Sequence, residues 1–291
     1  MSAPAKDDLA AANIGGSHRV ADRFFYAAFV VIGGTYALLL VLLVLADVLY
    51  VFQLDTRVVG DAEEAAAHPM VAALQKPEIR YSIGLTLISC TVAAILSVLT
   101  AVPVAYLLAR VPFRGRNLVE AIFDIPIVLP PLVVGLSLLI LFQFLPFSLA
   151  SRWVVYQIPA VILAQYTVAA AFAVRTMRAT FDQTDARAEN VALTLGCSRW
   201  QAFWKVVVPE VRNGMLTALT LAWARSLGEF GPLLIFAGAT RNKTEVLATT
   251  VFLELSIGDL EAAVAVSLIM IVAALSVLIA ARVWGRGRIL L

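Results

Sequence analysis

Six apolar runs, separated by polar stretches, set the plan of this chain. They lie at about residues 24–52, 82–109, 118–142, 153–174, 214–238 and 260–284. Each exceeds the roughly 18 apolar residues that suggest a membrane-spanning helix. The pattern predicts an all-α integral membrane protein with six transmembrane helices, residues 24–285 forming one transmembrane domain. Residues 1–23 and 286–291 are predicted to be polar tails. Within the first run, Val44-Leu45-Ala46 imitates a signal-peptide cleavage site. The apolar core is nevertheless longer than the roughly 7–15 residues of a signal peptide, so a retained helix is expected. Pro103 predicts a kink in the second run. The third carries Pro126, Pro130 and Pro131. A Pro-Pro pair removes two donors and restricts the residue before it, so this run is either kinked or broken. Broken backbone at membrane depth survives only against protein or a water-filled path.

Composition agrees with the pattern: 61% of residues are hydrophobic, 14% are charged, and the mean hydropathy is +0.90. The net charge of +2 selects no acidic or basic partner, and nothing points to nucleic acid. Its distribution is more informative. With six spans, fifteen of the 22 Lys and Arg residues fall on the side of the two termini. Six (Arg57, Lys76, Arg80, Arg152, Arg241 and Lys243) fall on the other, and Arg225 stays in the membrane. The positive-inside rule then places both termini and the charged segment 175–213 in the cytoplasm. Cys90 and Cys197 lack metal-ligand or CxxC spacing, so neither a zinc site nor a disulfide framework is expected. His18 and His68 have no partner pattern. In the first polar stretch, AEEAAAHPMVAAL suits a short surface helix ending near Pro77.

The charged segment contains RAENVALTLGCSRWQAFWKVVVPEVRNG, residues 187–214. Ala188 to Leu195 has helix-forming composition, Gly196 suits a helix C-terminus, and Ser198 can cap a second helix from Arg199. Leu193, Leu195, Trp200, Phe203 and Trp204 alternate with charges, and Pro209 closes the unit. Such a helix-turn-helix fits the groove of a protein partner. It equally fits an interfacial helix lying against lipid headgroups.

The fifth run holds an internal pair, Arg225 and Glu229, four residues apart and so on one helical face. A charge at the bilayer centre costs roughly 2.5–3.5 kcal/mol on insertion scales, so the pair must face protein or water. It either fixes helix packing or lines a gate. Gly228 and Gly231 beside it permit close approach of another backbone, and Pro232 weakens the helix. No catalytic constellation is present. Gly238 to Thr244 resembles part of a phosphate loop but is one residue short and lacks the second glycine. If ATP drives this protein, another polypeptide must hydrolyse it.

Residues 187–214 resemble the cytoplasmic motif of binding-protein-dependent ABC importer permeases: Glu-Ala-Ala, three residues, Gly, nine residues, Ile-x-Leu-Pro. Gly196 takes the glycine position, Val206, Val208 and Pro209 stand in the Ile-x-Leu-Pro positions, and Asn190, Val191 and Ala192 stand where Glu-Ala-Ala would. The acidic residue is thus replaced by Asn190. Glu189, one position earlier, points about 100° away on a helix. Leu129-Pro130-Pro131-Leu-Val-Val-Gly135 and Arg225-Ser-Leu-Gly-Glu-Phe-Gly231 are similar to stretches of the molybdate, tungstate and sulfate permeases, with Pro232 where a small residue is usual. The resemblance covers about residues 80–284.

It implies a type I ABC importer permease subunit in the cytoplasmic membrane of a prokaryote, importing a small solute, most simply a tetrahedral oxyanion. It also implies a second permease subunit (the same chain or a paralogue), a cytoplasmic ATPase dimer using Mg-ATP, and an extracytoplasmic solute-binding protein. This chain would bind no cofactor or metal. Glu189, Asn190, Ala192, Gly196, Val206 and Pro209 would form the ATPase-coupling loop, while Arg225, Gly228, Glu229, Gly231, Pro130 and Pro131 would form the path or gate. The rivals are a permease for iron, thiamine or polyamine, and an ion-coupled secondary carrier. The carrier predicts inverted repeats and several intramembrane ionisable groups.

Overall fold

A computed structural model describes residues 29–50 and 69–286. The proposed tail 1–23, the polar stretch 53–68 and residues 287–291 lie outside the described residues. The chain divides into two units, Met1–Ala62 and Glu63–Leu291. In the first, α1 (Phe29–Tyr50) is 22 residues long and bears apolar residues on every face, as lipid surroundings require.

The second unit is helical throughout, with no strand among the described residues. After the short α2 (Pro69–Gln75) comes α3 (Pro77–Arg110), opened by a proline at its first position, where no intrahelical donor is needed. Its 34 residues make a rod about 51 Å long against about 30 Å of hydrocarbon. One or both ends therefore project beyond the apolar layer. Pro103 lies inside it without ending it. The third run is broken: α4 (Arg116–Val128) and α5 (Pro131–Leu141) meet at 111° across Pro130. The Pro-Pro pair decides this, since Pro130 is extended (ψ 134) and Pro131 starts the next helix.

A short connection with α6 (Ser151–Val154) leads to α7 (Ile158–Gln183). The charged segment expected from Arg175 therefore begins as helix. Arg178 holds that extension, donating to Asp182 one turn on at 2.8 Å and forming an ion pair with Glu120 of α4 at 3.1 Å. Next come α8 (Arg187–Thr194), α9 (Arg199–Ala202) with a π-helical turn at Phe203–Val207, and α10 (Val208–Leu227). Where a single run 214–238 was expected, α10 stops at Leu227 and a separate π-helical turn forms at Leu233–Ala237. The expected loop 239–259 contains α11 (Leu247–Ile257), buried along the face of Leu247, Thr250 and Glu254, and α12 (Leu260–Arg286) closes the chain.

Four described helices, α1, α3, α7 and α12, are long and apolar enough to cross a membrane, and α4 with α5 makes a fifth candidate. The 20 residues of α10, which carry Glu210, Arg212 and Arg225, are not among them. The protein is thus a multi-pass all-helical membrane protein.

Small residues hold the bundle together. Ala94, Ala101 and Ala105 of α3, Ala169 and Ala173 of α7, and Ala218 and Ala222 of α10 are buried in one core cluster. In lipid there is little hydrophobic drive between helices, so close packing must supply the attraction. Gly214 shows how tight it is: a Cβ there would lie 2.3 Å from Cγ2 of Thr180. Some polar groups inside pair across helices, as when Trp223 Nε1 donates to Thr91 Oγ1 at 3.2 Å. Hydroxyls such as Ser97 bond back to their own helix.

Candidate coupling and gating sites

The segment 187–207 forms a compact helix-turn-helix. Gly196 has φ +89, a left-handed conformation that glycine adopts without a Cβ penalty, and it reverses the chain after α8. Ser198 and Gln201 then make a reciprocal capping box that starts α9. The unit has two faces. Ala192 and Ala202 are buried toward the bundle. Leu195 and Trp200 are 80% and 70% exposed, with Val191 and Trp204 exposed beside them. Trp200 stacks on Phe203 at 6.5 Å between ring centres, and Trp204 meets both edge-on at 5.4–5.6 Å. Val206 is half-buried in the π-helical turn, and Pro209 is exposed in the first turn of α10.

Glu189 and Asn190 part company here, as their 100° separation on a helix requires. Asn190 is exposed. Glu189 is turned inward and accepts a hydrogen bond from the Tyr106 hydroxyl at the end of α3. Its other carboxylate oxygen lies 3.9 Å from Arg110 Nε. Between α3 and this unit lies a cavity of about 570 Å³, lined among others by Leu107, Arg110, Glu189, Asn190, Arg199 and Trp200. Tyr106 and Arg110 were not singled out from the sequence. Their spacing of four on the last turn of an apolar run was the available signal.

The second site is where the broken third run meets the interrupted segment that follows α10. A Cβ on Gly231 would lie 2.8 Å from Pro131 Cβ and 2.9 Å from Leu132 N. A Cβ on Gly135 would lie 2.7 Å from Pro232 Cα and 3.1 Å from its carbonyl oxygen. Each break therefore packs a glycine against the other's proline. Gly228 plays no such part, since nothing lies within 4 Å of its Cβ position. Gly135, given no role from sequence, belongs here; it stands one turn beyond Pro131.

Within the same break, Arg225 Nη1 lies 2.5 Å from Glu229 Oε2. Glu229 is 1% exposed, and among the described residues no hydroxyl or backbone donor reaches its carboxylate. The guanidinium alone compensates that charge, while its own carbon sits 5.7 Å over the Phe172 ring of α7. The sequence-selected residues Arg225, Glu229, Gly231, Pro130 and Pro131 are thus brought to one crossing.

At the opposite end of α3, a polar network joins elements distant in sequence. Glu254 of α11 is fully buried and is met by Arg241 at 2.9 Å and Lys76 at 3.4 Å. Lys76 also bonds Asp259 at 2.8 Å, and Asp259 accepts from the Ala262 backbone at the start of α12. The Lys76 hydrogen bond, helped by the Ala262 amide, holds the Asp259 carboxyl below its ordinary range. Burial pulls Lys76 down, but its bond to Asp259 and the charges of Glu254 and Asp259 outweigh burial and raise it. Among the described residues no group of three or more His, Cys, Asp or Glu side chains is placed to hold a metal.

A helical bundle with a broken span and an amphipathic helix-turn-helix marks a polytopic membrane protein. Residues 101–288 match the family described as binding-protein-dependent transport system inner membrane component, and the chain belongs to that family. It is 34% identical over 212 residues to the sulfate transport system permease protein CysT of Escherichia coli (strain K12), covering 70% of this chain and 76% of that protein. It is 35% identical over 168 residues to the molybdate/tungstate transport system permease protein WtpB of Pyrococcus abyssi, covering 58% and 64%. A solved bacterial alginate ABC transporter, in complex with an alginate pentasaccharide-bound periplasmic protein, shares the fold. Its TM-score is 0.60 at 19% identity, over 75% of this chain and 81% of that one.

Proposed function

We propose that this chain is the permease subunit of an ABC importer for a tetrahedral oxyanion: molybdate, tungstate or sulfate. The observation that carries the reading is the exposed crest of Val191, Leu195, Trp200 and Trp204 on the helix-turn-helix. An apolar patch on a protruding unit calls for a partner, and a short helix pair of this kind fits a groove. That partner is a cytoplasmic ATPase dimer using Mg-ATP, because this chain carries no phosphate-binding loop. A second permease subunit and an extracytoplasmic solute-binding protein complete the importer. The excess of basic residues on the side of the termini supports a cytoplasmic placement of this unit.

The relatives named for sulfate and for molybdate and tungstate support the oxyanion class. The permease itself need bind the anion only weakly, because selectivity resides in the external protein; Arg225 and Glu229, paired with each other, support the gate. In our reading, ATP closes the ATPases, the loop 187–207 moves with them, and the crossing of the two breaks opens. Differential affinity of ATP for the closed state supplies the driving free energy.

The test is reconstitution with the ATPase and candidate binding proteins loaded with molybdate, tungstate or sulfate. ATP hydrolysis rising with one loaded protein, together with uptake of its anion, is the expected result. Stimulation only by a binding protein loaded with iron, thiamine or polyamine would replace the oxyanion with that solute.

A further inference from the structure

The last turn of α3 places Tyr106 and Arg110 on one face, four residues apart. Opposite them stands Glu189, 7% exposed, on α8. The Tyr106 hydroxyl donates to one carboxylate oxygen, and Arg110 Nε lies 3.9 Å from the other. Arg110 Nη2 also donates to the carbonyl of Thr184 at 2.9 Å, just past the end of α7. The Tyr106 ring is set edge-on against Phe181 of α7 at 5.8 Å and Phe203 of the π-helical turn at 5.1 Å. One carboxylate therefore sits where α3, the end of α7, α8 and the turn after α9 converge.

This arrangement answers a mechanical need. A unit that docks on a moving partner must be stiffly joined to the helices it moves, or the motion dissipates in its hinges. The chain itself joins the unit to the bundle only through residues 184–186 and the start of α10. The third junction is made by side chains, to a helix packed against both α7 and α10. Apolar contact alone allows sliding, whereas a charge-assisted hydrogen bond fixes direction and register. Asn190, the neighbour exposed on the other face, leaves Glu189 as the acidic residue in the first turn of α8.

We propose that Glu189, Tyr106 and Arg110 are positioning residues forming a strut. It passes displacement of the docked loop 187–207 into α3, with Glu189 acting on its own chain and not on the ATPase. The proposal rests on the coupling-loop reading above.

The test uses the complete complex of permease, ATPase and binding protein. Tyr106→Phe removes one hydroxyl and keeps the ring; Glu189→Gln keeps the shape and removes the charge. Tyr106→Phe, on α3 and outside the docking loop, is expected to co-purify with the ATPase and hydrolyse ATP at the wild-type rate. Solute moved per ATP should fall roughly tenfold, about the worth of a charge-assisted hydrogen bond, and the double variant should fall no further than the worse single one. Unchanged transport per ATP in Tyr106→Phe would overturn the strut and leave the coupling reading standing. Loss of ATPase association in Glu189→Gln would also overturn it, making Glu189 a docking contact. If the wild-type chain fails to associate with the ATPase, the coupling reading and the strut fall together.

Discussion

Gly231 meets Pro131 so closely that an added Cβ would stand 2.8 Å from the proline's own Cβ. The reverse contact, Gly135 on Pro232, is as tight. The two breaks are thus packed backbone against backbone, with no room for a side chain at either glycine. Gly231→Ala and Gly135→Ala should each force the backbones apart, at about 1–3 kcal/mol for overpacking. Thermal unfolding in detergent should register that loss. Uptake should fall more steeply than stability, because the substitution reshapes the crossing itself.

The crossing also shows which parts of the site were legible in the sequence. Pro130 and Pro131 announced a disturbance, and the sterics of a Pro-Pro pair left a kink or a break; the 111° angle is a break. Arg225 and Glu229 were legible because two charges at helical spacing stand out in an apolar run. Gly135 was not, since a glycine's role here comes from what another span places against it. Glu254 was hidden for the same reason: its partners Lys76 and Arg241 lie on separate connections, 178 and 13 residues away. Hydropathy does not show where a helix continues past its apolar run, as α7 does, because Arg178 finds Glu120 on another element.

Glu229→Gln should leave the Arg225 guanidinium without its carboxylate. Breaking a buried pair costs roughly 3–5 kcal/mol, whereas replacing both partners by apolar residues is often neutral. Arg225→Met with Glu229→Met should therefore recover much of the stability lost in Glu229→Gln. Transport should remain impaired in both variants if the pair supports the gate. Wild-type transport in Glu229→Gln, with ATP hydrolysis still coupled, would remove that role.

The network around Lys76 and Asp259 carries a pH signature. Asp259 has a lowered carboxyl pKa, so its contribution is present above the ordinary aspartate range and is lost as pH falls through its lower native value. Lys76 is raised, so its contribution is present below the ordinary lysine range and is lost as pH rises through its higher native value. Both contribute fully between those limits. Asp259→Asn should flatten the acid limb of a stability-versus-pH curve, measured by thermal unfolding. An unchanged acid limb would show that solvent screens this half-exposed pair.

Gly196 holds φ +89. Placing an L side chain there costs about 1–2 kcal/mol, and Gly196→Asp also adds charge beside the exposed crest. That variant should insert in the membrane at wild-type levels and lose ATPase association in a co-purification assay. Undiminished association would argue against docking through this turn.

The central claim, that this permease moves an oxyanion only when a separate ATPase drives it, is tested most directly by uptake into proteoliposomes. Vesicles holding this chain with its ATPase and internal ATP, supplied with loaded binding protein, should accumulate labelled molybdate, tungstate or sulfate; omitting the ATPase should abolish uptake. Accumulation by the isolated chain, driven by an ion gradient alone, would contradict the account and identify a secondary carrier.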